Sequence, residues 1–303
     1  MGYRAKYYYR RRKKYKINIM VKNILLFTDS NHKPIRSIDL LDILMQIGAA
    51  ECDTLYIHSA MSFGTPNPQL RRNELLQSIY EIFLELNVKT ICMPTFTFSF
   101  CNGQIYDPVN SKSKMGALNE YFRRQNNVIR SIDPLMSVAL LGEDQDLVKG
   151  IEKTSMGINS TFDKLRHRNN VKFLFLGTRI GDCFTYMHYL EWLYKVDYRY
   201  ERKFQGTIQF NNRTYNDDYS LFVRYCEVLP NLASYDYERM MYDNGRAEIK
   251  ALGNSTISVV EEKVAAEAFR QCLEIDPHFF VTIADDKLVK DTTFILNSEM
   301  VAL

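Results

Sequence analysis

The 303-residue chain predicts an α/β fold, a layered α/β/α domain on a largely parallel central sheet with an elaborated C-terminal half of hairpins and helices. Three observations carry that expectation. Short apolar runs alternate with amphipathic segments through residues 21–200, the order that builds a parallel sheet covered by helices. Beyond Tyr200 the alternation gives way to β-type runs joined by Asn- and Gly-containing turns. The composition, 46% hydrophobic and 13% aromatic, can fill a substantial core.

Taken in order, VKNILLFTD is a short apolar run, and SIDLLDILMQIGA places Leu40, Leu41, Leu44 and Ile47 at helical spacing, with Ser37 as the expected N-cap. TLYIHSAM reads as a strand running into small residues, NELLQSIYEIFLELN as an amphipathic helix, and VKTICMPTF as the next strand. MGALNEYFRRQ, STFDKLRHRN and FTYMHYLEWLYK read as helices, with the strands MSVALLG and KFLFLGT between them. FQGTIQF, RTYN and YSLFVRY read as short strands, and ASYDYERMMYDNG as a helix stopped by Gly245. RAEIKALGNSTISVV reads as a hairpin, and EEKVAAEAFRQCLEI as a helix with Val264, Ala265, Phe269 and Cys272 on one face. With no Pro- or Ser-rich linker and no internal repeat, a single domain over 21–303 is expected, preceded by a basic arm over 1–20.

The net charge of +3 hides an asymmetry. Residues 1–16 hold eight Lys or Arg and no acid, leaving 31 basic against 36 acidic residues in the rest. Such an arm, interleaved with Tyr7, Tyr8, Tyr9 and Tyr15, is a candidate for an anionic membrane surface; nucleic acid is the less favoured partner. The longest uncharged stretch, 90–106, contains Pro94, Asn102 and Gly103 and is a poor membrane span. The first 20 residues lack a secretory leader's apolar run, so a cytoplasmic address is expected. Six cysteines show no CxxC pair, so neither a zinc site nor a disulfide framework is expected.

The stretch LGTRIGDCFTYMHYLEWLYKVDY concentrates the chemistry. A strand ends at Gly177, a polar loop follows, and the next helix sets His188 and Glu191 three residues apart on one face. A carboxylate beside an imidazole supports the imidazolium that forms when a base takes a proton; the alternative is a helix-surface pair satisfying itself. Cys183, five residues before His188, is a weaker candidate nucleophile.

Six ordered segments between Asp39 and about Tyr200 resemble the aminoglycoside N3-acetyltransferase family: TLYIHSAM, ICMPTFTFS, YDPVNSKSKMGALNEYFRR, VIRSIDPLMSVALLG, INSTFDKLRHRNNVKFLFLGT and FTYMHYLEWLYKVDY. The resemblance implies an acyl-CoA-dependent N-acyltransferase with acetyl-CoA as co-substrate, no metal, and a small-molecule amino sugar as acceptor. By position it makes His188 the general base and Glu191 either its supporting carboxylate or the group that holds the cationic acceptor. It places Ser59, Thr95, Thr97, Arg130 and Ser131 at the pantetheine arm and thioester. Two departures from the family pattern lie where the acceptor is expected: Asp133 stands before Pro134 in place of a frequent His, and GTRIGDCFT replaces a glycine-rich, asparagine-containing turn. Asp133, Asp182 and Thr185 are therefore the expected acceptor-side residues. The acceptor is read as an aminoglycoside or, with slight preference, a biosynthetic amino sugar for a surface polysaccharide or natural product. The alternative is a catalytically silent relative that binds through its basic tail.

Overall fold

A computed structural model describes residues 21–284 and 288–290, so the basic arm lies outside the described residues. The first strands, β1 (Leu25–Thr28) and β2 (Pro34–Arg36), pair antiparallel and precede α1 (Ser37–Gln46). Asp39 Oδ2 accepts the Arg36 N–H at 2.7 Å and caps α1. Ser37, the expected cap, is instead the first helical residue, and its buried hydroxyl accepts the N–H of Ile24 at 2.9 Å. Then come β3 (Thr54–Ser59), β4 (Thr65–Pro66), α2 (Arg72–Glu85), β5 (Thr90–Pro94), α3 (Ala117–Phe122), β6 (Ile129–Arg130) and β7 (Val138–Gly142). The second half begins with α4 (Thr161–Arg166), β8 (Val171–Leu176), α5 (Ile180–Cys183) and α6 (Tyr186–Leu193). It continues through β9 (Arg199–Phe210), β10 (Arg213–Arg224), β11 (Val228–Pro230) and α7 (Ala233–Asp243). The last elements are β12 (Ala247–Leu252), β13 (Ser255–Glu261), α8 (Glu262–Ile275) and β14 (Val281–Ile283).

Seven strands form the central sheet in the order β12-β13-β8-β3-β5-β7-β6. The layered α/β architecture is as expected. Its parallel part is the centre, where β3 pairs with β8 and with β5; β13, β12, β7 and β6 extend both edges antiparallel. Helix–strand alternation identified the central strands, but the edges are short connections that sequence periodicity does not orient.

Alternation along the strands divides the core between two faces. Leu55, Ile57, Leu174 and Leu176 point to one side with Leu44, Ile79 and Phe83 of α1 and α2. Tyr56, Phe173 and Phe175 point to the other with Tyr186, Leu190 and Phe269 of α6 and α8. The strands read as short after Tyr200 merge into one hairpin, twelve residues on each side, whose turn is Asn211-Asn212, both at positive φ. At the end of β8, Gly177 has φ of +71°, and a Cβ there would stand 2.1 Å from the Ala60 carbonyl oxygen. Only glycine lets the β8 exit lie this close to the β3 exit.

Candidate active site

Ser59 and Leu176 are register partners, so β3 and β8 end side by side. The chain leaves β3 for β5 on one side, while β8 lies on the other, and ligands of open α/β sheets bind in the crevice beyond such a switch in direction. The loop after β8 and the two helices that follow it start from that point of the sheet.

That loop is fixed by local contacts. Asp182 Oδ2 accepts the Arg179 N–H at 3.1 Å, while Asp182 Oδ1 accepts the Tyr235 hydroxyl at 2.6 Å. Gly181 packs so tightly on Tyr235 that a Cβ would come within 2.5 Å of the ring. Phe184 then inserts edge-on between Phe173 and Phe175, with centroids at 4.8 and 5.2 Å, and anchors the start of α6. Four residues after Phe184, His188 lines a pocket, whereas its neighbours Tyr189 and Leu190 enter the core.

The pair sits in a dense charge network. His188 Nδ1 lies 2.8 Å from Glu191 Oε2 and 2.9 Å from Arg199 Nη2. That nitrogen can donate to the carboxylate or accept from the guanidinium, so the two contacts favour opposite tautomers. Arg199 Nε lies 2.8 Å from the same Glu191 oxygen as an ion pair, and the Tyr198 hydroxyl donates to Glu191 Oε1 at 3.1 Å. Burial works against the Glu191 charge, but Arg199 and His188 outweigh it and hold the carboxyl down to about 2. Burial, followed by Arg199, lowers the His188 pKa, with Glu191 opposing, so the imidazole is neutral at neutral pH.

The pocket beside His188 measures about 60 Å³ and is lined by Phe184, Glu191, Arg199, Arg224 and Ser234 among others. A second, larger groove of about 670 Å³ runs between α2 and the start of α3, with Arg72, Lys112, Lys114 and Tyr121 in its walls. Asn119 of α3 bridges toward the strand ends: its Oδ1 accepts the Ser59 hydroxyl at 2.9 Å, and its Nδ2 donates to the Pro94 carbonyl at 2.8 Å.

The profile of the family described as aminoglycoside 3-N-acetyltransferase matches residues 86–274, which include His188, Glu191, Arg199 and Arg224. The chain belongs to the aminoglycoside 3-N-acetyltransferase family. It is thus an acyl-CoA-dependent N-acetyltransferase by class. Solved structures share the fold. AAC-IIIb in binary complex with CoASH has a TM-score of 0.67 at 16% identity, covering 79% of this chain and 96% of that one. AAC-VIa bound to sisomicin gives 0.67 at 17%, covering 79% and 97%. The YokD protein from Bacillus subtilis gives 0.63 at 16%, covering 78% and 97%. No curated protein matches the chain in sequence.

Within this N-acetyltransferase fold, the residues singled out from sequence have different surroundings. Ser59 stands half-buried at the strand end. Thr95 is buried, its hydroxyl donating to the Ser137 carbonyl at 3.1 Å and accepting from Arg130 Nε at 3.0 Å. Arg130 ties the 107–111 loop to this strand end by donating to the Ser111 carbonyl at 2.6 Å. Ser131 accepts the Val138 N–H, and Thr97 pairs with Ser99 at 2.8 Å. These four side chains have internal structural partners. Asp133 is a buried turn residue whose Oδ1 accepts from Leu135 N, Met136 N and the Ser155 hydroxyl. Thr185 precedes α6 and is buried, and Asp182 is held by Tyr235, so neither they nor Asp133 line the His188 pocket. Burial pushes the Cys183 thiol up to about 12, which disfavours the thiolate that a nucleophile needs.

Sequence reasoning missed Arg199, Tyr198 and Arg224. The VDYRY run after α6 was the available signal for the first two. Arg224 comes near through hairpin register, which no local pattern announces. Among the described residues, no helix is long and apolar enough to cross a membrane.

Proposed function

We propose that the protein transfers an acetyl group from acetyl-CoA to the amino group of an amino sugar, with His188 as general base. The supporting observation is the Glu191 carboxylate at 2.8 Å from His188 Nδ1, itself neutralised by Arg199. Donation of the Nδ1 proton to Glu191 leaves Nε2 to handle the transferred proton. The acceptor nitrogen attacks the thioester carbonyl, the C–N bond forms and the C–S bond breaks. The amine proton passes to His188 Nε2 and returns to the departing sulfur, so the base is regenerated. A lowered His188 pKa keeps the imidazole in its proton-accepting form.

The residues present fit acetyl-CoA. Arg72, Lys112 and Lys114 line the larger groove and have no ion pair among the described residues, which suits the phosphates of the coenzyme. Asn119, on the helix that borders that groove, holds Ser59 at the end of β3, where the thioester would lie. The acceptor is an amino sugar, either an aminoglycoside or a biosynthetic sugar for a surface polysaccharide or natural product. The test is free-thiol release from acetyl-CoA with a panel of aminoglycosides and monomeric amino sugars. Release that depends on one of them supports the reading; no release at millimolar concentrations of any contradicts it.

A further inference from the structure

Arg199 and Arg224 are directly opposed across the β9–β10 hairpin. Like charges facing each other across strands destabilise a sheet, so the pair calls for a compensating contact. Arg199 has one, the Glu191 carboxylate at 2.8 Å, and it also donates to the Phe222 carbonyl at 3.1 Å. Arg224 has neither a hydrogen bond nor an ion pair among the described residues. Its guanidinium is largely buried, and burial followed by the Arg199 charge lowers its pKa to about 10, which leaves it charged at neutral pH.

Nearby acids are committed elsewhere. Glu201, on the same face of β9, is exposed at the surface, its carboxyl is raised by partial desolvation, and its contacts are to Ser220 and Trp192. Glu238 holds Arg179 at 3.2 Å, Asp182 holds Tyr235, and Asp197 pairs with His278 at 2.8 Å. The wall of the His188 pocket therefore carries two guanidiniums against one carboxylate. The same wall includes Ser234 in the first turn of α7, whose N-terminal end adds positive potential. The space beside these charges is about 60 Å³, room for one small polar group of a larger ligand.

We infer that Arg224 binds an oxyanion on the acceptor, a carboxylate or a phosphate close to the reacting amine, so that the preferred acceptor is an anionic amino sugar. The inference rests on the amino-sugar acyltransferase reading and narrows its acceptor. A planar guanidinium holds either oxyanion through paired N–H donors, whereas the ammonium groups of an aminoglycoside are repelled.

The experiment is a binding measurement, independent of turnover, on full-length protein. Melting temperature and affinity are recorded with glucosamine 1-phosphate, muramic acid, glucosamine and sisomicin, for the wild type, Arg224→Gln and Arg224→Lys. The expected result is stabilisation by glucosamine 1-phosphate, muramic acid or both, the two arms telling phosphate from carboxylate, and weaker binding of glucosamine and sisomicin. Arg224→Gln should weaken the anionic sugar about 10- to 100-fold, with partial recovery in Arg224→Lys. A retained melting shift with acetyl-CoA shows that the variants are folded. Equal or tighter binding of sisomicin, no binding of either anionic sugar, or unchanged binding by Arg224→Gln overturns the inference. An effect of Arg224→Gln on acetyl-CoA alone also overturns it, by assigning the arginine to the coenzyme. Failure of the base assignment is separable: it shows as undiminished turnover in a His188 variant and leaves these binding results unchanged.

Discussion

Glu191 draws contacts from an imidazole, a guanidinium and a phenol, and their removal has calculable consequences. Arg199→Met leaves a buried carboxylate without its countercharge and should destabilise the protein by about 3–5 kcal/mol, read from chemical denaturation. The same change removes a charge that lowers the His188 pKa. Because the base works only when neutral, the acid limb of the pH–rate profile should move to higher pH in the variant. An unmoved limb would show that Arg199 does not tune this imidazole. His58 offers a second case. It is 3% exposed, stacks on Phe175 at 5.0 Å, and has its pKa lowered by burial to about 3. Above the unfolded value of roughly 6.5 it is neutral in both states. As pH falls from there toward 3, only the unfolded chain takes the proton, and stability declines by up to about 5 kcal/mol. His58→Phe should therefore raise the melting temperature more at pH 5 than at pH 8; an equal gain at both would contradict the linkage. His188 and Glu191 were legible because helical spacing brings i and i+3 together. Arg199 was not, because it reaches them only after the chain leaves α6 and reverses into β9.

At the level of elements, the loop leading into α3 presents Lys112 and Lys114 to the groove proposed for the coenzyme phosphates. Replacing each by Ala should raise the KM for acetyl-CoA about 2- to 5-fold per lysine, with the effect shrinking as salt is added. Steady-state kinetics at two salt concentrations checks this, and an unchanged KM in the double variant would move the phosphates elsewhere. The helices and central strands were legible from periodicity, since α2, α6 and α8 each bury one face. Edge strands were harder. The hairpin of β9 and β10 was read as shorter pieces because Asp217 and Asp218 interrupt its apolar pattern, where the polar face is solvated. Thr95 was expected at a strand end, and Arg130 and Ser131 were singled out by their motif, but sequence does not show that their polar atoms are taken up by Ser137, Ser111 and Val138. Position in a motif constrains the backbone; what a hydroxyl bonds to depends on segments far along the chain.

At the scale of the molecule, the sheet order brings the ends of β3 and β8 together, and α6, the second helix after β8, presents His188 to its pocket. The groove proposed for the coenzyme is lined by residues within 72–125, and the charge network around His188 draws on residues 188–224. The charge pattern also belongs to this scale, because the excess of positive residues lies in the arm, outside the described residues, while the remaining chain is net acidic. An acidic body with a cationic pocket beside its base separates the whole-chain charge from the charge that the acceptor meets. The central claim is that this pocket performs base-assisted acetyl transfer through His188. Its most direct test is thiol release from acetyl-CoA, with an accepted amino sugar, by the wild type and by His188→Ala. The account predicts a fall in kcat of about 100- to 10,000-fold while the melting shift produced by acetyl-CoA is retained. Wild-type turnover in the folded variant would contradict it.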